Sequence, residues 1–444
     1  MYCFLKETVS GILSLLVPVL VLAGCAGHVS YDALSAHLSA GDCNAAARLI
    51  EDSRGDYGTH SELLFFLDSA MVHMQCKNFQ AAQERFHSAE DLAQQLWTTS
   101  LSREAVSLIS NDYLISYGGE DYERAMIHLM SAIAYLDAEN FEDALVECRR
   151  LDSLLTLYND RYAEKNVYKE DAFGRYLSGI LNEADHNLDA AFIDYQKALE
   201  SYADYEQFYQ TPAPSSLKKD FLRVARAVNR VADARNLIPG DVPDSEILYK
   251  TSRTMGEILV IQLTGRAPVK VEDRVHIPTI HGPITLAFPK FLPVSSAPPR
   301  TSFLLRSRTE QKEIQADLAA DITAIAFKNL ADHRARIITK TIARAAVKQA
   351  VIRQAAKKVA KNENKDTQQA IEIALNLMNL FLEHADLRSW QTLPARVYMA
   401  RAFVEQGAYE LEIPSQVNGR RKIKNIMVTA GKIHYIIETD SPGL

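Results

Sequence analysis

The spacing of apolar residues divides the chain into two halves that differ in predicted structure. Over residues 29–238 apolar positions recur every three or four residues and prolines are few, which predicts amphipathic helices. Four segments of this region resemble one another: Gly41–Ile50, Asn78–Ala89, Asn140–Leu151 and Asn187–Ala198. Such internal similarity predicts an array of repeated helical units.

Within these segments the same positions carry small and large residues in a fixed order. The small residue is Ala46, Ala82, Ala144 or Ala191, and the larger one four positions later is Ile50, Phe86, Cys148 or Tyr195. A small residue lets two helices cross closely, and the larger one fills the space between repeats. The pattern resembles the second helix of tetratricopeptide repeats, with Ala70, Ala132 and Gly179 as the small residues of the first helices. A generic helical bundle is the alternative.

The C-terminal half alternates between strand and helix patterns. Glu257–Thr264 and Val271–Ile277 are rich in β-branched and apolar residues, which predicts two strands, and residues 301–308 predict a third. A helical pattern follows from Glu310 to about Lys361, with a break predicted near residues 331–334. The helix predicted next covers Gln368–Leu387.

The last part of the chain predicts a small antiparallel β module. Its strands are Arg396–Phe403, Ala408–Pro414, Lys422–Ala430 and Lys432–Thr439. The pair Asn418-Gly419 is typical of a hairpin turn. We expect this module to pack on the preceding helices.

These patterns define the predicted fold class and its divisions. The fold is mainly α, with an N-terminal helical repeat array that resembles tetratricopeptide repeats, followed by an α+β region with the small β module. The divisions are 1–24, 25–238, 245–309, 310–388 and 389–444, and 245–444 as one domain is an alternative. Residues 239–244 carry the Pro and Gly that are typical of a linker.

A short apolar run near the N-terminus predicts the location. Val9–Val21 is too short to span a bilayer and is followed by Leu22-Ala23-Gly24-Cys25, which resembles a bacterial lipobox. Residues 1–24 are then a signal peptide and Cys25 is the lipidated residue. Ala26 in place of Asp favours the outer membrane, with the body facing the periplasm. An uncleaved N-terminal anchor is the alternative.

Charge is distributed unevenly between the halves. The net charge is −15 over residues 26–240 and +8 over residues 241–444. This asymmetry indicates either contact between the halves or a basic surface directed at an anionic partner. Nucleic acid is not expected as that partner because the compartment lies outside the cytoplasm.

The basic residues are densest on one predicted helix. They recur at helical spacing and are Arg336, Lys340, Arg344, Lys348, Arg353 and Lys357. Such a helix is able to lie on an anionic membrane, contact cell-wall polymer or face the acidic array. The alternative is a solvated basic face on a helix whose apolar side, including Ile342 and Val351, packs on its own domain.

Four motifs resemble a known family. They are Tyr117–Glu123, Ala144–Arg150, Leu263–Lys270 and Ala385–Ala395. In this order they resemble a family of bacterial tetratricopeptide-type lipoproteins whose function is largely uncharacterised. The resemblance implies the array and the lipid anchor, and it implies no activity.

Candidate chemistry is sparse. Glu383, Asp386, Arg388 and Trp390 form a cluster that is able to act in acid–base catalysis, or to form a structural ion-pair network. We expect no cofactor and no metal site, and no catalytic constellation is recognisable. At most one disulfide is expected among Cys43, Cys76 and Cys148. Cys43–Cys76 is the candidate pair, and three buried thiols are the favoured alternative.

The leading functional hypothesis is an envelope scaffold that binds a protein or peptide through the groove of the array. An envelope enzyme that acts on glycan or lipid through the Glu383–Trp390 cluster is one alternative. A component of a surface or secretion assembly, which contacts the membrane through the basic helix, is the other.

Overall fold

The structure is a computed structural model. It describes residues 29–107, 115–162, 168, 170–238, 254–278, 284–294, 300–359, 373, 384–414 and 421–440. The predicted signal peptide and lipobox, the linker at 239–244, Glu383 and the Asn418-Gly419 turn lie outside these residues. No helix among the described residues is both long enough and apolar enough to cross a membrane.

The first half is helical, as the apolar spacing predicts. Its helices are α1 (Tyr31–Ser39), α2 (Cys43–Asp52), α3 (Glu62–Gln75), α4 (Phe79–Ser107), α5 (Asp121–Asp137), α6 (Phe141–Tyr162), α7 (Ala172–Ala184), α8 (Leu188–Tyr209), α9 (Leu217–Ala227) and α10 (Val231–Leu237). Consecutive helices pack against one another in pairs, among them α3 with α4, α5 with α6 and α7 with α8.

The turns inside the helix pairs share one geometry. Each has a residue with positive φ after the first helix: Gly41, Lys77, Glu139, His186 and Asn229, with φ between 58° and 74°. The next backbone N–H bonds to a carbonyl five residues back, as in Asn78 to His73 and Asn140 to Tyr135. This is the Schellman arrangement that ends a helix. The repeated sequence therefore encodes a repeated turn.

Small residues lie where these helices cross. Ala46, Ala82, Ala144 and Ala191 are fully buried. Gly179 of α7 faces the ring of Tyr195, and a Cβ added there would lie 2.5 Å from Tyr195 Cδ1. Only glycine allows these two helices their close approach.

The described residues of the second half form ten strands and one long helix. The elements are β1 (Gly256–Thr264), β2 (Val269–Ile277), β3 (Ile284–Leu292), β4 (Ser302–Arg306), β5 (Gln311–Gln315), β6 (Asp317–Asp321), α11 (Ile322–Val359), β7 (Arg396–Val404), β8 (Gly407–Pro414), β9 (Arg421–Val428) and β10 (Ile433–Asp440). They form a sheet of order β10-β1-β7-β6, a sheet of order β5-β4-β8-β9, and a β2–β3 hairpin. β1 pairs with β10 in parallel and with β7 antiparallel.

Strand β1 is buried on both faces and lies at the centre of a layered body. Leu259 and Ile261 belong to a core that also contains helix residues of the first half. Ile258 and Val260 belong to a second core, shared with Phe303 and other residues of the β5-β4-β8-β9 sheet. The layers are therefore helices, the β10-β1-β7-β6 sheet and the β5-β4-β8-β9 sheet. Contact between the two halves, one of the two alternatives that the charge asymmetry left open, is present. The mixed α+β class with a helical N-terminal region is confirmed.

The helix predicted from Glu310 to Lys361 is wrong at its start and at its break. Residues 311–315 and 317–321 are strands, because Ile314 pairs opposite Phe303 and Leu318 pairs opposite Tyr398. Tertiary pairing has overridden local helix propensity here. Helix α11 runs without interruption through residues 331–334. Residues 384–390 are irregular, so the helix predicted to Leu387 does not reach that residue.

The strands of the small β module predicted at 389–444 do not form a sheet of their own. β7 and β10 flank β1, while β8 and β9 extend the sheet that holds β4. A strand that is apolar on both faces, as β1 is, needs neighbours along both edges and a layer on each side. Strands β7 and β10 supply the neighbours of β1, and β8 and β9 supply part of the sheet that covers one of its faces.

The cysteine prediction resolves in favour of the pair. Cys43 and Cys76 form a disulfide, with their Cα atoms 5.4 Å apart, so the favoured alternative of three buried thiols is wrong. The bond ties the start of α2 to the end of α3. Cys148 is a buried free thiol.

Candidate functional site

Three of the four motifs singled out in the sequence meet where the helices pack on the β10-β1-β7-β6 sheet. Tyr117–Glu123 leads into α5, Leu263–Lys270 joins β1 to β2, and Ala385–Ala395 is the irregular segment before β7. We call this region the junction. Residues far apart in sequence come into hydrogen-bond contact there.

A buried carboxylate anchors the junction. Glu123 accepts hydrogen bonds from the Tyr117 hydroxyl at 2.5 Å, the backbone N–H of Glu120 at 3.0 Å and the backbone N–H of Trp390 at 2.7 Å. Burial raises the pKa of Glu123, and nearby Lys270 opposes that rise. The carboxyl group fixes the segment that carries Trp390 to the start of α5.

The Asp386–Arg388 pair is a second anchor. Arg388 donates from Nε and Nη2 to the Asp386 carboxylate, at 2.9 and 2.8 Å. Its Nη1 donates to the carbonyls of His60 and Ile115, at 2.9 and 2.8 Å. Burial raises the pKa of Asp386, but Arg388 and Lys270 together outweigh burial and lower that pKa. Nη1 therefore holds the irregular segment against the helical half, while Nε and Nη2 fix the guanidinium within that segment.

Trp390 begins a hydrogen-bonded chain that reaches the first helix. Its Nε1 donates to Thr392 Oγ1 at 2.9 Å, and that hydroxyl donates to Asp68 Oδ1 at 2.7 Å. Asp68 Oδ2 accepts from the hydroxyls of Tyr31 and Tyr57, at 2.7 and 2.8 Å. Burial raises the pKa of Asp68, and the bond from Thr392 opposes the rise.

A buried ion cluster that the sequence analysis missed joins the other end of the array to the sheet. Arg401 of β7 contacts Asp220 of α9 at 2.8 Å, Glu183 of α7 at 3.1 Å and Glu257 of β1 at 2.6 Å. Arg223 also binds Glu183 and Asp220, each at 2.7 Å. Burial raises the pKa of Glu183, but Arg223 and Arg401 outweigh burial and lower it to about 2. Acidic residues on otherwise apolar helix faces were the only available signal.

A cavity of about 320 Å³ lies at the edge of the junction, and the basic helix forms one wall. Arg336, Lys340 and Arg344 of α11 line it, and Glu120 and Asp386 lie on other walls. Lys270 pairs with Glu120 at 2.5 Å. Burial lowers the pKa of Lys270, but Glu120, Asp386 and Glu123 together outweigh burial and raise it. The cavity thus brings the predicted basic residues together with part of the predicted acid–base cluster.

The basic helix does not have the orientation that the solvated-face alternative predicts, with the basic side exposed and the apolar side packed on the domain. Arg344 is only 3% exposed, whereas Ile342 and Val351 are 53% and 58% exposed. The acidic residues across the cavity account for the inward position of Arg344, because an opposite charge offsets the desolvation of a buried cation. Lys348 is half-buried, and Arg353 and Lys357 are exposed further along α11.

The geometry of the Asp386, Arg388 and Trp390 cluster is that of an ion-pair and hydrogen-bond network. Their polar groups bind other parts of the same chain, and Glu383 lies outside the described residues. In comparisons with known protein families and with curated protein sequences, no match to the chain was found.

Proposed function

We propose that the protein is a lipid-anchored scaffold of the bacterial cell envelope. The lipobox supports attachment through Cys25, and Ala26 favours the outer membrane with the body facing the periplasm. The repeated turns and the buried alanines at helix crossings support an array of the tetratricopeptide type. Binding of a protein or peptide by such an array is the function that these features favour.

The main support for the proposal is that the polar residues of the candidate catalytic cluster contact other parts of the same chain. Arg388 and Trp390, two of the residues best placed in sequence for catalysis, bind the helical half, and Asp386 is paired with Arg388. The face of the array formed by α3, α5, α7 and α9 is packed against the sheet and the irregular segment. A partner is therefore expected on the opposite face, formed by second helices such as α4, α6 and α8.

In-cell crosslinking of the full-length lipidated protein tests this proposal. A photoreactive residue is placed at exposed positions of α4, α6 and α8, and trapped proteins are identified by mass spectrometry. We expect a reproducible envelope protein from at least one of these helices. Recovery of lipid or glycan alone at every position would contradict a protein scaffold and favour an envelope enzyme or membrane contact.

A second candidate function is contact with an anionic lipid surface or cell-wall polymer through the far end of α11. Val347 and Val351 are exposed there, beside exposed Arg353 and Lys357. A full-length Cys25→Ser variant should then float with vesicles that contain anionic lipid, and Arg353→Glu with Lys357→Glu should abolish flotation. Equal flotation of the charge-reversed variant would contradict this candidate.

A further inference from the structure

We propose that a cleft on the outer face of the array binds a peptide segment that presents an apolar side chain next to a carboxylate. The cleft measures about 420 Å³ and lies between α4, α5 and α6. This inference rests on the proposed scaffold function, and it names the surface and the chemistry of the partner. The motif Ala144–Arg150, which has no part in the junction, supplies one wall through Val146, Arg149 and Arg150.

The floor of the cleft is apolar. Trp97, Ile127, Leu154 and Leu157 line it, and Leu157 is 43% exposed. The Arg124 guanidinium lies 5.3 Å from the centre of the Trp97 ring, which fixes the ring as part of the wall. Clefts of this size with an apolar lining and a few polar groups are typical ligand sites.

The two carboxylates at the base of the cleft already contact an arginine. Arg150 Nη1 lies 2.7 Å from Glu90 and 3.1 Å from Glu147, and Glu147 also lies 2.8 Å from His128 Nδ1. The candidate donor atoms of Glu90, His128 and Glu147 lie within 4.8 Å of one another, a spacing compatible with a metal ion. Because the Arg150 guanidinium already contacts both carboxylates, the cluster holds a protein cation in the place of a metal.

Arg149 is a cleft arginine that takes no part in these contacts. It is exposed on α6, lines the cleft and makes no ion pair with any residue that the structure describes. A guanidinium at the rim of an apolar cleft is suited to a carboxylate, which it is able to bind through two parallel hydrogen bonds. Arg149 therefore offers a partner carboxylate one guanidinium beside the apolar floor of the cleft.

The polar rim favours a peptide as the occupant. Gln94, Thr98 and Ser153 line the cleft and are exposed. The Gln94 amide is able to pair with both the N–H and the C=O groups of an extended backbone. The Thr98 and Ser153 hydroxyls donate to the carbonyls of Gln95 and Arg149, and their oxygens are able to accept from backbone N–H groups. An acyl chain has no such groups to pair with them. The cleft also lies on the face of the array that the sheet leaves uncovered.

The test is photo-crosslinking in cells with the full-length chain. A photoreactive residue replaces Leu157 in the cleft, and as a control it replaces Ile193, which is 48% exposed on α8. We expect a protein adduct at 157, and mass spectrometry should place the bond within a few residues of an Asp or Glu in the partner. Arg149→Glu should lower the yield at least about tenfold, as loss of one charge-assisted hydrogen bond requires. Arg48→Glu, a charge reversal at an exposed Arg of α2, should leave the adduct yield at position 157 unchanged.

The outcomes separate this inference from the scaffold proposal. A lipid adduct at 157, or a protein adduct that survives Arg149→Glu, would overturn the inference. Protein adducts at other outer positions with none at 157 would overturn it and leave the scaffold standing. Absence of any protein adduct would overturn both.

Discussion

Arg401 of β7 and Asp220 of α9 form an ion pair of 2.8 Å with both side chains buried, between strand and helix. The pair explains why the acidic first half and the basic second half stay together. A buried charge is tolerated only when it is paired and hydrogen-bonded. The two halves therefore supply each other's counter-charges, and each is incomplete without the other.

Removing Arg401 should strongly destabilise the whole chain. Arg401→Ala leaves Glu183, Asp220 and Glu257 with one fewer cation, and loss of one partner of a buried ion pair costs about 3–5 kcal/mol in the free energy of unfolding. Urea unfolding of the full-length protein in detergent measures the change. Arg48→Ala, at an exposed site, should change the free energy of unfolding by less than about 0.5 kcal/mol. Equal effects of the two variants would contradict the role of the cluster.

The Glu183 carboxyl should make stability depend on pH below 4.5. Its pKa is lowered from 4.5 to about 2, so its contribution is present above 4.5 and is lost as the pH falls towards 2. A difference of that size corresponds to about 3 kcal/mol. Glu183→Gln should accordingly cause a large loss in the free energy of unfolding at pH 7, and this loss should become smaller between pH 4.5 and 2. Glu142→Gln, at an exposed site, serves as the control. A loss of stability in Glu183→Gln that does not change with pH would contradict the lowered pKa of Glu183.

Substitutions at the junction should reduce function and stability together. Arg388→Lys removes the paired geometry with Asp386 and the bonds to His60 and Ile115, so we expect a loss of about 2–4 kcal/mol. Thermal unfolding and a crosslinking assay on the same variant measure the two effects. Loss of activity in cells with an unchanged Tm would instead show that Asp386 and Arg388 act on a substrate, and would revive the enzyme alternative.

The cysteines should react in a fixed order. Without reductant, an alkylating reagent should modify none of Cys43, Cys76 and Cys148 in the folded protein, because two are bonded and one is buried. Burial also raises the pKa of the Cys148 thiol, which keeps it protonated. Urea should expose Cys148 alone, and urea with reductant should expose all three. Labelling of Cys43 without reductant would contradict the disulfide.

Local features were predictable from sequence because their causes are local. The helices follow from apolar spacing, and the crossings follow from buried residues such as Ala82 and Ala144. Strand β1 was predicted to within one residue from its β-branched and apolar composition. These features depend on neighbours a few positions apart, which a sequence pattern records.

The junction was not predictable because its causes are distant in the chain. Glu123 reads as an ordinary capping residue of α5, and only the fold places it 2.7 Å from the backbone of Trp390. The residues that became β5 and β6 have fair helix propensity, and their strand conformation depends on pairing with Phe303 and Tyr398. The spacing of the basic residues on α11 likewise does not indicate that Arg344 faces inward, because its orientation depends on segments that are distant in the chain.

Hydrogen exchange of the Trp390 backbone amide tests the central claim, that array and sheets form one body held by the junction. The amide donates to buried Glu123, so peptides covering 386–393 and 117–123 of the full-length protein should exchange as slowly as β1. Exchange of 386–393 within seconds while α5 stays protected would mean that the halves separate, and would contradict the account.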